Sequence, residues 1–334
     1  NADQINAITK VVSRPECFIW GPPGTGKSAT LGLTAAVLCE LGKTVLIVAH
    51  SNAAVDVAMT NLVKYAVNSG PYERCQIIRL GPTRDLDLEK YPKLNLHEGF
   101  QYSSPVLYRE VKNLEKDRDA LIRRAQHSEI DEVELNSIRN SLLKIKKQLS
   151  DIQNKVIEAE TTLLREAKVI GCTLSKATIC PDIYNRRFDA VLLDEASMAY
   201  IPHCIFSAGL AKEHIAIFGD FRQLAPIAQA DTQMVKKWLK RDIFDEAGII
   251  EKVDAEIPDC RLVLLRTQYR MHSQVANIPN LLFYQNRLLN GNEVNQRSTR
   301  IVESDPYKGK PVIFMDLETL PSNCFFETSA HSRF

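Results

Sequence analysis

The sequence predicts an α/β protein built on a parallel sheet, and three observations carry that expectation. Short β-branched or apolar runs recur with helical stretches between them: Cys17 to Trp20, Thr44 to Ala49, Gln76 to Leu80, Val169 to Cys172, Ala190 to Leu193 and His214 to Phe218. Apolar runs of this length alternating with helices read as strands buried on both faces of a parallel sheet. A glycine-rich turn follows the first run, and another run ends in two carboxylates, so polar groups collect where strands end, which is where such sheets place ligands.

The bulk numbers fit this class. A chain of 334 residues suits two domains, one of them carrying an insertion, and 45% hydrophobic with 25% charged residues is ordinary globular composition. That excludes collagen-like, disordered and disulfide-scaffold classes. Formal net charge is only +1, so a nucleic-acid partner must be held by local donors and not by a general basic field. The eight cysteines are scattered without a C-x-x-C pair and read as reduced thiols. No long apolar span or secretory leader is read, so the expectation is no membrane and an intracellular location, cytoplasmic or, in a eukaryote, nuclear. The opening at Asn1 instead of Met suggests an excised segment.

Three segments are expected. Residues 1–81 and 168–257 form the first sheet domain, 82–167 an insertion, and 258–334 the start of a second, incomplete α/β domain, with strands at Arg261 to Leu265 and Pro311 to Asp316. Within the insertion glycine nearly vanishes and Ile138, Leu142, Ile145, Leu149, Ile152, Val156, Ala159 and Leu163 make a heptad seam. Leu107, Val111, Leu114, Leu121 and Ala125 make a weaker partner seam interrupted by Arg118, with Gln126 to Glu129 between. An antiparallel helical hairpin follows, its longer arm of about 26 residues reaching on the order of 40 Å. Spacer, dimer contact, protein docking and a grip on nucleic acid all remain open for it.

Gly21-Pro22-Pro23-Gly24-Thr25-Gly26-Lys27-Ser28 matches G-x-x-x-x-G-K-[ST], follows a strand and opens a helix running to about Leu41. Glycines let backbone amides turn toward phosphates, the helix start adds positive potential, Lys27 reaches the terminal phosphates and Ser28 ligates magnesium (Mg2+). In Val191-Leu192-Leu193-Asp194-Glu195, Asp194 at the strand end can hold the metal and Glu195 can orient and deprotonate water. Alone, an acidic pair there is as readily a turn cap. Gln223, in Phe218-Gly219-Asp220-Phe221-Arg222-Gln223-Leu224-Ala225-Pro226, could sense a γ-phosphate, and the alternative is a polar loop closed by proline.

Together with Leu265-Arg266-Thr267-Gln268-Tyr269-Arg270-Met271-His272, whose Q-Y-R-M-H core is similar to motif IV, this set resembles the Upf1-like family of superfamily 1B helicases. The resemblance implies a RecA-like P-loop NTPase domain with a helical-hairpin insertion and the start of a second RecA-like domain. It implies ATP and Mg2+ as cofactors and 5′-to-3′ movement on single-stranded DNA or RNA driven by ATP hydrolysis. Gln4 would read the adenine, Gln223 would couple the γ-phosphate to the strand, Arg270 would bind the γ-phosphate and Tyr269 would sit near the base. Ala49-His50-Ser51-Asn52-Ala53-Ala54-Val55-Asp56 resembles motif Ia, with His50 in place of the usual proline, and Gly171-Cys172-Thr173 resembles motif Ic. Ser51, Asn52 and Thr173 would then bond strand phosphates, although by themselves these turns read as helix caps.

The match runs over about residues 1 to 316. Counterparts of motifs V and VI, and of the family's β-barrel before the glutamine motif, are not found, so the chain is expected to stop before the motor is complete. A nucleotide-gated scaffold that recruits a protein through the hairpin is the alternative function. A third reading, an SMC-like or transporter-type ATPase, ranks last because this sequence has no signature motif near Asp194 and because it conflicts with the Q-Y-R-M-H run.

Overall fold

The computed structural model describes residues 1–83, 85–126 and 131–314. Two compact units divide the chain, Asn1–Gln268 and Tyr269–Phe334. The first is organised by seven parallel strands: β1 (Glu16–Trp20), β2 (Val45–Ala49), β3 (Ile77–Arg79), β4 (Val169–Thr173), β5 (Phe188–Asp194), β6 (Ala211–Gly219) and β7 (Leu262–Leu264). Their order across the sheet is β3-β4-β2-β5-β6-β1-β7. Successive residues of a strand point to opposite faces, and both faces are filled. Cys17, Ile19, Val45, Ile47, Leu192 and Phe218 join one core with α1 (Ala2–Ser13), α2 (Lys27–Glu40) and α3 (Asn52–Ala66), while Phe18, Trp20, Leu46, Val48 and Leu193 are buried on the other side.

Local signals set the helix starts. Asn1 and Gln4 form a capping box on α1, and Ser51 caps α3 through the Ala54 amide. Gly32 lets α2 and α3 touch: a Cβ there would lie 2.7 Å from the Asn61 backbone, which cannot yield as a flexible side chain can.

The second unit contains the helices Ser273–Phe283 and Val294–Val302. Asn280 ties the intervening turn by bonding both the amide and the carbonyl of Leu288.

Three expectations need correction. The run Arg261 to Leu265 does not open a new unit, because β7 pairs in parallel with β1 in the first sheet and Leu265 donates its amide to the Trp20 carbonyl at 2.9 Å. The division of the chain therefore falls after Gln268 and not at 258. No strand forms over 312–314, and the remaining residues of that expected strand, Met315 and Asp316, lie outside the described residues.

Nor does the insertion leave the sheet domain at Pro82. Leu88 and Leu94 join the first unit's core, and the helices that protrude are Pro105–Ala125 and Glu132–Glu166. Arg124 pairs with Glu134 near the tip, and Glu110 and Leu114 line one cleft with Gln148 and Ile152, so the two helices run antiparallel. The long arm has 35 residues. Its length is thus about 50 Å, more than the seam alone suggested. Arg186 anchors its base by donating to the Leu164 and Ala167 carbonyls, both at 2.6 Å. The turn expected at Gln126 to Glu129 lies largely outside the described residues. Among the described residues no helix is long and apolar enough to cross a membrane.

Candidate nucleotide and nucleic-acid site

The carboxyl ends of the parallel strands align, and the chemistry-bearing residues of the first unit collect there. Ala49 is in register with Asp194 on one side and Thr173 on the other, and Trp20 with Gly219. The strand order divides this edge into two halves. The ends of β5, β6 and β1 carry one set of groups, and the ends of β2 and β4 the other.

In the first half, Gly21 to Gly26 link β1 to α2. Gly24 and Gly26 take φ of 78° and 80°, a left-handed conformation that favours glycine. The Gly21 amide donates to the Gly219 carbonyl at 3.0 Å, and Thr25 closes the turn with its hydroxyl on the Pro22 carbonyl at 2.7 Å. Pro22 lies within that turn and its carbonyl also accepts from the Thr25 amide. Lys27, the first residue of α2, is nearly buried and its Nζ lies 3.0 Å from Glu195 Oε2. Ser28 Oγ lies 3.4 Å from Asp194 Oδ2. Burial pushes the Asp194 carboxyl up to about 6 against the opposing pull of Lys27, and neighbouring Glu195 adds to the rise. Glu195 itself sits at φ 50°, half exposed, where the backbone turns sharply after β5. A serine hydroxyl beside a carboxylate is a hard oxygen pair of the kind Mg2+ accepts when phosphates and water complete its shell, so these residues fit the metal.

Gln4 approaches the same loop from α1, donating from Nε2 to the Thr25 carbonyl at 3.3 Å. Gln223 donates to Asp220 Oδ2 at 2.6 Å. Asp220 was not singled out in the sequence, yet it is buried and its other oxygen accepts from Trp20 Nε1 at 2.9 Å, joining the end of β1 to the Gln223 loop. The available signal was an aspartate directly after the apolar end of β6, together with a tryptophan at the end of β1 whose indole N–H needs an acceptor when buried.

The second half holds Ser51, Asn52 and Thr173. Ser51 Oγ accepts from the Ala54 amide at 3.2 Å, Thr173 Oγ from the Lys176 amide at 3.2 Å, and Asn52 Oδ1 from Arg79 Nη2 at 2.9 Å. In each case an acceptor oxygen is engaged inside the protein, leaving hydroxyl or amide hydrogens to donate. Arg79 is a second residue the sequence did not single out. It is buried and ion-paired with buried Asp56 at 2.7 Å. An arginine inside the apolar run Ile77-Ile78-Arg79-Leu80 was the signal, since a buried arginine needs a partner. Tyr269 and Arg270 belong to the second unit, in the stretch between Gln268 and the helix Ser273–Phe283, outside the seven-stranded sheet.

A family model described as an AAA domain matches residues 1–231, and a second model with the same description matches residues 246–331. Similar proteins include a "Regulator of nonsense transcripts 1 homolog" of Arabidopsis thaliana, 27% identical over 94% of this chain and 22% of that protein. The "ATP-dependent helicase NAM7" of Saccharomyces cerevisiae is 26% identical over 94% of this chain and 28% of its own length. The chain belongs to this AAA-domain family, in its Upf1-like superfamily 1 branch. A further match, the "DNA polymerase alpha-associated DNA helicase A" of Schizosaccharomyces pombe, is 28% identical over 95% of this chain and 44% of that protein. The chain thus spans less than half the length of these relatives. In this Upf1-like chain the phosphate loop, the acidic pair, Gln4, Gln223 and all three candidate strand contacts fall within the first matched segment, and Tyr269 and Arg270 within the second.

Proposed function

We propose that this chain carries the ATP-hydrolysing core of a helicase or translocase that moves 5′ to 3′ on single-stranded nucleic acid. The observation that carries the reading is the divided edge. Lys27, Ser28, Asp194 and Glu195 converge on one half, and a row of hydrogen-bond donors occupies the ends of the adjoining strands.

In this reading the amides of Gly21 to Gly26 and the Lys27 ammonium bind the phosphates, Gln4 reads the adenine, and Ser28 and Asp194 hold Mg2+. When bound there, Mg2+ would supply charge to offset that of the phosphates. Glu195, close to Lys27 and half exposed, orients the attacking water and takes its proton. Gln223 senses the γ-phosphate and reports through Asp220 and Trp20. Arg270 contributes positive charge as the terminal phosphate leaves, and Tyr269 packs near the base. Ser51, Asn52 and Thr173 donate to strand phosphates, which positions the strand without reading sequence and needs no basic field.

The test is ATP turnover of the full-length protein titrated in parallel with single-stranded DNA and RNA. Stimulation by either supports the motor. A rate unchanged at saturating single strand overturns it, and a Glu195→Gln variant that still turns over ATP overturns the assignment of the base.

One feature favours a protein partner on the hairpin as well. Val106 and Val133 are 78% and 79% exposed along it, and Leu143 and Ile157 are also exposed. Deleting residues 105–166 in the full-length protein should then abolish co-purification of a partner with ATP turnover intact.

A further inference from the structure

Arg79 is the most heavily bonded cation of the strand-contact half and has no part in the reading above. It ends β3, is 3% exposed, and its guanidinium is held from several directions. Nε donates to Asp56 Oδ1 at 2.7 Å, Nη1 to the Leu80 carbonyl at 2.6 Å, and Nη2 to the Pro82 carbonyl at 3.2 Å and Asn52 Oδ1 at 2.9 Å. Gly81 lets the loop pass close over it: φ is 111°, and a Cβ there would stand 3.3 Å from Nη1. Asn52 and Asp56 lie one helical turn apart on α3, so one planar group locks the start of that helix to the loop after β3.

An amide has two ends of opposite character, and arginine has five donors and no acceptor. The end of Asn52 that meets Arg79 must therefore be its oxygen, and its NH2 group is turned the other way. We propose that Arg79 is a positioning residue for the nucleic-acid contact: by holding the Asn52 oxygen it aims the Asn52 amide hydrogens at the bound strand, so that this position accepts only acceptor atoms such as phosphate oxygens. The inference rests on the strand-binding reading of motif Ia. A lysine cannot substitute, because one ammonium cannot span Asp56, two carbonyls and Asn52 in a fixed plane.

The experiment is a double-mutant cycle in the full-length protein, read by fluorescence anisotropy with a labelled oligo-dT and a labelled oligo-U. Arg79→Lys keeps a cation beside Asp56 and should weaken strand affinity about tenfold to a hundredfold, the scale of one lost hydrogen bond to a charged group. It should leave affinity for a non-hydrolysable ATP analogue unchanged. Asn52→Ala should weaken strand affinity at least as much, and adding Arg79→Lys to it should weaken it no further. Equal loss from Arg79→Lys in both backgrounds would show that Arg79 acts through the general fold and overturns the proposal. Should Arg79→Lys fail to fold, Asn52→Asp takes its place: it keeps an acceptor for Arg79 but offers the strand no donor. Wild-type affinity in Asn52→Asp also overturns the proposal. A wild-type protein that binds neither oligonucleotide removes the strand-binding reading itself, an outcome separable from failure of the cycle.

Discussion

Substituting Gly26 tests whether Gln4 and the phosphate loop are one structural unit. Gly26 takes φ of 80°, and a Cβ added there would stand 2.4 Å from Gln4 Nε2. Gly26→Ala therefore carries two penalties. The left-handed backbone costs an L-residue roughly 1–2 kcal/mol. The Gln4 amide must also leave, giving up its bond to the Thr25 carbonyl and its place in the α1 capping box, together about 1 kcal/mol. Gly42 supplies the control, with φ of 79° and nothing within 4 Å of an added Cβ. Gly42→Ala pays only the backbone term.

In urea unfolding without nucleotide, Gly26→Ala should lose about 1 kcal/mol more than Gly42→Ala, or roughly 2–4 °C in melting temperature for a unit of this size. In a Gln4→Ala background the excess should vanish. With Gln4 displaced, discrimination between ATP and GTP should also shrink. Equal losses for the two glycine variants, or an excess that persists without the Gln4 side chain, would refute the coupling.

Arg270→Ala should lower the strand-stimulated turnover of the full-length protein about a thousandfold or more while nucleotide affinity, measured by titration calorimetry, changes little. Asp56→Ala leaves the Arg79 charge buried without its carboxylate and should destabilise the first unit by about 3–5 kcal/mol in denaturant unfolding. Asp242 gives a pH signature: burial pushes its carboxyl from 3.8 up to about 6, against the pull of the Asp245 and Phe244 amides. A raised pKa means stability present below about 3.8 and lost as pH rises through about 6. Between pH 4 and 7 the wild type should thus lose about 2 kcal/mol relative to Asp242→Asn, which keeps the cap oxygen but does not titrate. Parallel pH profiles of the two proteins would contradict this.

Sequence alone determined the class of fold and pointed to the residues proposed to hold a nucleotide. Both rest on local rules: buried parallel strands are short apolar runs, and a phosphate loop must be glycine-rich between a strand and a helix, so the residues announce themselves by spacing. Asp194 and Ser28 stand far apart in the chain, yet each sits at a strand-to-helix transition of the same sheet, and their meeting follows from that. By residue type alone Ser51 and Thr173 read as caps, and it was the family resemblance that implied strand contacts, because a cap and a phosphate contact ask for the same hydroxyl. Only the tertiary structure decided which sheet β7 joins, because an apolar run carries no label for the neighbour that will take its hydrogen bonds. It alone joined Trp20 to Asp220, and it alone turned Asn52 with Arg79. Those pairings depend on where buried polar groups find partners across the sheet, and a buried donor accepts whichever acceptor the packing brings within 3 Å or so, at whatever distance in sequence.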